Sequence, residues 1–330
     1  FRDAPYLPWI TEDSGNQKKW MSALRNIEDS GSRFVLIVDR SVDINTAVNA
    51  IALYLPYLAR GNMDLYYYPR QRDNLMQLHW YVATETAALL HMSMMGQDDN
   101  APYIYVSEQP AVRQYTKEIE ALLERCVNGL HTCSFGMSSD FWRYSIVLDH
   151  DSDSAVWNYW NGPSPSTIPR NVVKSFAARL NLHLPPMFYR FEERANAHLE
   201  KHPVYDYVAL PAPEKLDRDS IPYTGDSMLE TPGLCYTPKE FEMHIRHLIY
   251  LLETYENYHL ILCQDHVFPC NIYVTEKGKL VTVSAEPPHI MRIDRDGFIG
   301  YSITSYFQQQ VKGFRELPRE ETILRLRSYL

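Results

Sequence analysis

Ser227, in the stretch YTGDSMLETPG (residues 223–233), has the first claim on chemistry. A serine hydroxyl becomes a nucleophile once a neighbouring base takes its proton and backbone donors face the developing oxyanion. The segment that follows reads as a long amphipathic helix, and Lys277 and Lys279 fall in a hairpin turn, where exposed lysines keep their proton. The residues favour a polar connector, and a serine-dependent hydrolase using Ser227 is the catalytic alternative. DHDSDS (149–154) alternates carboxylates as a calcium loop does at its start. Ser154 and Trp160 then stand where that loop needs glycine and glutamate, which favours a solvated loop exit. His198 and His202 are spaced four apart, as metal ligands on one helix face are, but Leu199 replaces the glutamate of H-E-x-x-H. His244 and His247 flank an apolar stripe and read as boundary residues. Cys126/Cys133 and Cys263/Cys270 share a spacing of seven that matches neither a zinc knuckle nor a redox pair, so core packing accounts for them. The phosphate-cradling patterns G-x-x-x-x-G-K and G-x-G-x-x-G are missing. No cofactor and no metal is expected.

These residues need elements to hold them. RFVLIVD (33–39) is an unbroken apolar run, as in a strand buried on both faces. Ile44, Val48, Ile51, Leu55 and Leu58 then paint one helical stripe, and DLYYYP (64–69) supplies a second strand. Strand, helix, strand is the unit of parallel sheets. YIYVS (103–107), a helix bearing Val112, Tyr115, Ile119, Leu122 and Cys126, and the strand YSIVLD (144–149) continue the pattern. LHWYVATETAALLHM (78–92) begins like a strand and ends like a helix. Ligands of a parallel sheet bind beyond the carboxyl ends of its strands. That rule nominates Asp39 and Arg40, Tyr68 and Arg70, Ser107 and Glu108, and Asp149 as ligand-binding residues. The content of 24 Tyr, 12 Phe and 6 Trp suits pockets for organic ligands, and equally the seams of a large α/β protein.

Two helices follow around 172–180 and 188–199, then a polar, proline-marked stretch from 211 to 237. TPKEFEMHIRHLIYLLETYE (237–256) carries the clearest helix start: Thr237 as cap, Pro238 in the first turn, and Glu240 as the capping-box partner. Its buried stripe is Phe241, Ile245, Leu248, Leu252 and Tyr255. YHLILC, CNIYVT, KLVTVS and HIMRID read as strands, with EKGK (276–279) as a hairpin turn, and a last helix starts at Pro318. The expected architecture is a two-lobed α/β fold with mixed or mostly parallel sheets and flanking helices. Its expected divisions are an amino-terminal α/β lobe (1–161), a helical bridge and linker (162–236) and a carboxy-terminal α+β lobe (237–330).

A chain of 330 residues with 45% hydrophobic and 22% charged residues has the balance of a soluble globular protein. Its apolar runs are too short to span a bilayer, and the thinly spread cysteines fit a reducing cytoplasm. A formal charge of −9 opposes direct nucleic-acid contact by this region. The expected partner is a small molecule or another protein, with room for a homodimer or an oligomerisation scaffold.

GDSM (225–228) is similar to the nucleophile motif of LexA-like and signal-peptidase-like serine–lysine proteases over those four residues, without their following strand-borne lysine. RFVLIVDRS, LYYYP, YIYVS, LLETYENYHLIL and CNIYVTEKGKLVTVSAEPPHI carry a wider resemblance, to the C-terminal effector region of helix-turn-helix transcriptional regulators from Gram-positive anaerobes. That resemblance implies a phospholipase-D-type two-lobed fold whose H-x-K-x-x-x-x-D signature is lost, and hence a ligand-sensing role without catalysis. It also implies a DNA-binding domain upstream of Phe1.

Overall fold

The computed structural model describes residues 14–32, 34–39, 54, 57–58, 61–68, 76–94, 102–134, 153–184, 186–217, 221–225, 231, 233–263, 270–284, 290–294, 297–310 and 317–330. The chain is mixed α/β and divides into two compact units, Phe1–His131 and Thr132–Leu330.

In the first unit, β1 (Phe34–Asp39) pairs in parallel with β2 (Met63–Tyr68), and the short β6 (Val127–Asn128) lies antiparallel against β2. This is the parallel pair expected from the apolar runs. Tyr54, Tyr57 and Leu58, from the segment between them, are buried. The ambiguous stretch 78–92 forms neither one strand nor one helix. It makes a hairpin, β3 (Met76–Ala83) with β4 (Ala87–Met94), whose turn places Glu85 at φ 62°. β5 (Tyr103–Val106) completes this sheet antiparallel to β4. YIYVS is therefore the last strand of an antiparallel meander, because the hairpin before it needs no crossover helix. Helix α1 (Ser14–Asp29) packs Trp20 edge-on to Tyr81, and α2 (Gln109–Leu123) packs Tyr115 against Trp80.

The second unit holds a seven-stranded sheet. β7 (Leu130–Ser134), within which the division of the chain falls, β8 (Val156–Trp160), β9 (Val204–Ala209), β10 (Tyr258–Cys263), β11 (Cys270–Thr275), β12 (Leu280–Ser284) and β13 (Ile290–Asp294) are ordered β10-β9-β8-β11-β12-β13-β7. β8, β9 and β10 run parallel, while β11 is antiparallel to β8 and β12, and β12 to β13. β9 comes from the stretch read as bridge and linker, and it lies between strands from either side of it.

Helices α3 (Arg170–Leu180), α4 (Phe191–Leu199) and α5 (Pro238–Thr254) intervene between the parallel strands. The capping box of α5 is formed: Thr237 Oγ1 accepts from Glu240 N–H, and Glu240 returns a carboxylate to Thr237 N–H at 2.8 Å. Phe241, Ile245, Leu248 and Leu252 are buried in one core with Val156, Val204, Val208 and Leu260 of the sheet, and Tyr255 is half-buried at the helix end. The opposite sheet face carries a stacked row of rings, Trp157 on Tyr205 and Tyr205 on His259, with centroids 5.4 and 4.7 Å apart. Helix α6 (Phe298–Gln310) brings Phe307 to within 5.1 Å of Tyr207.

Helix α7 (Arg319–Arg327) is pinned by its first residue. The Arg319 guanidinium donates to the carbonyls of Leu252, Tyr255, Glu256 and Tyr258, the unsatisfied end of α5 and the start of β10. Leu326 and Tyr329 are thereby held in the core beside β9 and β10.

Candidate functional site

Asn158, Asp206 and Tyr258 meet in the core because β8, β9 and β10 are parallel and in register, with Asn158 opposite Asp206. Asn158 Nδ2 donates to Asp206 Oδ1 at 2.6 Å, and the Tyr258 hydroxyl donates to Oδ2 at 2.9 Å. Burial raises the Asp206 carboxyl from 3.8 to about 6, although both hydrogen bonds act to lower it. Nearby, Tyr236 bonds His244 Nδ1 at 2.8 Å, and His244 Nε2 lies 3.3 Å from Thr167 Oγ1. Thr167 donates its own proton to Ser164 O at 3.0 Å. That direction assigns the ring proton to Nε2 and leaves Nδ1 to accept from Tyr236. Burial and the neighbouring His247 push the His244 imidazole down to about 3, so it is neutral. These groups are fully buried between α5 and the sheet. Apart from Asn158 Oδ1, which has no hydrogen-bond partner, these polar groups bond within the cluster, as interior polar groups require, and none of them lines a cavity described below.

The same register ends β9 and β10 level, with Ala209 opposite Cys263. Leu210 adds one more rung through its N–H to Cys263 O at 3.2 Å, after which Pro211 turns the chain away into a 3-10 turn at Pro213–Lys215. The end of α7 comes in from the other side, where the Tyr329 hydroxyl donates to Pro211 O at 2.9 Å. These pieces enclose a cavity of about 550 Å³ at the carboxyl ends of two parallel strands. Ala209, Leu210, Cys263 and Tyr329 are buried in its floor, and Glu214, Lys215 and Arg325 stand exposed at its rim. Burial pushes the Cys263 thiol up to about 11, so it is protonated and unreactive at neutral pH. Burial also raises the Tyr329 phenol, with Glu214 acting the same way and Arg325 against it. A second cavity of about 550 Å³ lies on the far side of Tyr329, between α5 and the chain end, lined by Phe241, Met243 and Arg246.

The cleft at β9 and β10 is lined by none of the residues that the rule about strand ends nominates in the sequence. Asp39 and Tyr68 are register partners at the carboxyl ends of β1 and β2. Ser107 and Glu108 follow β5, in the other, antiparallel sheet; both are exposed, and Glu108 is the N-cap residue of α2. The premise of a parallel sheet does not hold for that pair. Arg40, Arg70, Asp149 and Ser227 lie outside the described residues. The cleft at β9 and β10 went unnominated because VYDYVA sits in a stretch whose prolines and helices suggest a connector. Its signal is the apolar alternation of residues 204–210 closed by Pro211.

His202 Nε2 lies 2.8 Å from Asp153 Oδ1 and its ring is 5.3 Å from that of His198. His247 stacks on Tyr250. Among the described residues no three His, Cys, Asp or Glu side chains are grouped to hold a metal, and no helix is long and apolar enough to cross a membrane. Cys126, Cys235, Cys263 and Cys270 are free thiols, the last two buried.

No family model and no curated protein matches the chain. Among solved structures, the phosphatidylserine synthase of Haemophilus influenzae Rd KW20 is similar at 10% identity over 96% of this chain and 81% of that one, with a TM-score of 0.33. A likeness of that size bears on neither the fold nor the activity of this chain.

Proposed function

We propose that this chain is a ligand-sensing or interaction region that acts by binding rather than by bond-breaking, within a cytoplasmic transcriptional regulator whose DNA-binding domain is a separate module. The observation that carries the binding role is the cavity of about 550 Å³ at the level ends of β9 and β10. Its size falls in the range of small-molecule sites, and its position is the one parallel strands favour. The core titratable groups Asp206, His244 and Tyr258 support the same reading, because they bond core partners instead of facing that cavity: Asp206 accepts from Asn158 and Tyr258, and His244 pairs with Tyr236 and Thr167. The regulator context rests on the sequence resemblance alone.

A metabolite screen by thermal shift tests the binding role. A ligand at about a hundred times its Kd adds roughly 2.7 kcal/mol of stability. The expected result is a hit that protects backbone amides of residues 209–216 and 325–330 from hydrogen exchange and is recovered chemically unchanged. Protection confined elsewhere, or conversion of the hit to product, overturns the proposal. The regulator context is tested separately, by whether such a hit changes operator affinity of the intact protein.

A further inference from the structure

The rim of the β9–β10 cleft departs from the charge of the whole molecule. The chain carries a formal charge of −9, yet the cleft presents Lys215 and Arg325 against the single carboxylate Glu214. The two cations come from different elements, the turn after β9 and the end of α7, and both line the cleft. Among the described residues, the side-chain partner of Arg325 is Glu321, one turn back on α7, at 3.4 Å with both side chains more than two-fifths exposed. A pair that long and wet contributes little, so an incoming anion can replace it. A guanidinium accepts a planar or tetrahedral oxyanion through two parallel N–H groups, which Glu321 at this geometry does not use. Beneath the cations the walls turn apolar, with Leu210, Leu262 and Tyr329.

An apolar floor under a two-cation rim sorts ligands by chemistry. A neutral apolar molecule gains the floor but nothing from the rim. A small anion gains the rim, in competition with water, but leaves the floor wet. A polyanion meets Glu214 and Glu321 as well as the cations. Resting on the binding role proposed above, we propose that this cleft takes an apolar molecule bearing one anionic head, its body on Leu210, Leu262 and Tyr329 and its head between Lys215 and Arg325.

Calorimetric titration of the full chain with octanoate, octyl phosphate, octanamide and acetate tests this. Octanoate or octyl phosphate is expected to bind saturably, and the stronger of the two identifies the head as carboxylate or phosphate. Octanamide and acetate should bind at least about tenfold more weakly, as loss of a charge-assisted hydrogen bond or of the buried body implies. Arg325→Gln should weaken the anion about tenfold and leave octanamide unchanged, and Arg325→Lys should recover part of the loss. Arg325 is exposed, so these variants keep the fold. Leu262→Trp, which fills the cleft, should abolish binding of every probe while circular dichroism stays native. If octanamide matches the anions, or Arg325→Gln leaves their affinity intact while Leu262→Trp still blocks them, the anionic head is wrong and the binding cleft stands. If all four probes fail with the native chain, or bind Leu262→Trp equally well, the inference about this cleft falls, and the metabolite screen alone then decides the wider binding role.

Discussion

Asp206 shows how much a single interior side chain shapes the behaviour of this chain. Burial pushes its folded carboxyl from the ordinary 3.8 up to about 6, so the folded state binds its proton the more tightly. The associated stability is complete below pH 4 and is lost as pH rises through 6, by about 3 kcal/mol at 1.36 kcal/mol per unit. His244 runs the other way. With its folded value pushed down to about 3, it contributes stability that is present above pH 6.5 and is lost as pH falls toward 3. Between pH 4 and 6 the two offset each other, which flattens the profile of the native chain. Asp206→Asn removes one of them while its amide oxygen still accepts from Asn158. The stability of this variant relative to the native chain should therefore improve by about 3 kcal/mol between pH 4 and 7, read from urea midpoints at each pH. A constant difference across that range would show that Asp206 is ionised in the fold at its ordinary value. This residue was not legible in the sequence, since its partners Asn158 and Tyr258 stand 48 and 52 positions away. The capping box of Thr237 and Glu240 was legible, because a cap is made by residues three apart on one chain segment.

An element is legible where one contiguous segment carries one pattern, and β9, whose partners lie on either side of a helical stretch, is not. The hairpin turn at EKGK closes as expected, with Gly278 at φ 81° and its N–H on Thr275 O at 2.8 Å. What the turn does next was invisible: it receives the start of α6, where Asp294 accepts from the N–H groups of Gly297 and Gly300 at 3.0 and 2.8 Å. Gly300 lies so close to the Gly278 backbone that an added Cβ would fall within the Gly278 carbonyl. Neither side of that contact is a flexible side chain, so relief requires backbone movement. Gly300→Ala should cost about 3 kcal/mol despite the better helix propensity of alanine, with raised amide exchange across α6 and the turn. A neutral or stabilising effect in urea denaturation would show that α6 can lift from the hairpin without loss. β9 illustrates the opposite limit, since a short strand reads as connector when its two neighbours come from either side of a helical stretch. The rule about strand ends selects the cleft at β9 and β10 only once those strands are known to be parallel.

At the scale of the molecule, the core of the second unit is self-sufficient. Its buried cluster runs from Val156 to Tyr329 and includes the floor of the cleft at Leu210 and Tyr329, and among the described residues it has no member from the first unit. A cluster closed in this way is the physical mark of a domain able to fold alone, and residues of 162–236 belong to it, among them Val172, Phe176, Val204 and Val208. The sequence contains the apolar periodicity of each piece, but not the closure, which depends on three parallel strands being brought together across intervening helices. A chain of residues 130–330, which keeps β7 whole, should therefore unfold in a single cooperative urea transition and keep dispersed amide resonances. A gradual, non-cooperative loss of structure in that fragment would mean that the sheet depends on residues 1–129 for its stability, and that the two compact units are one folding unit.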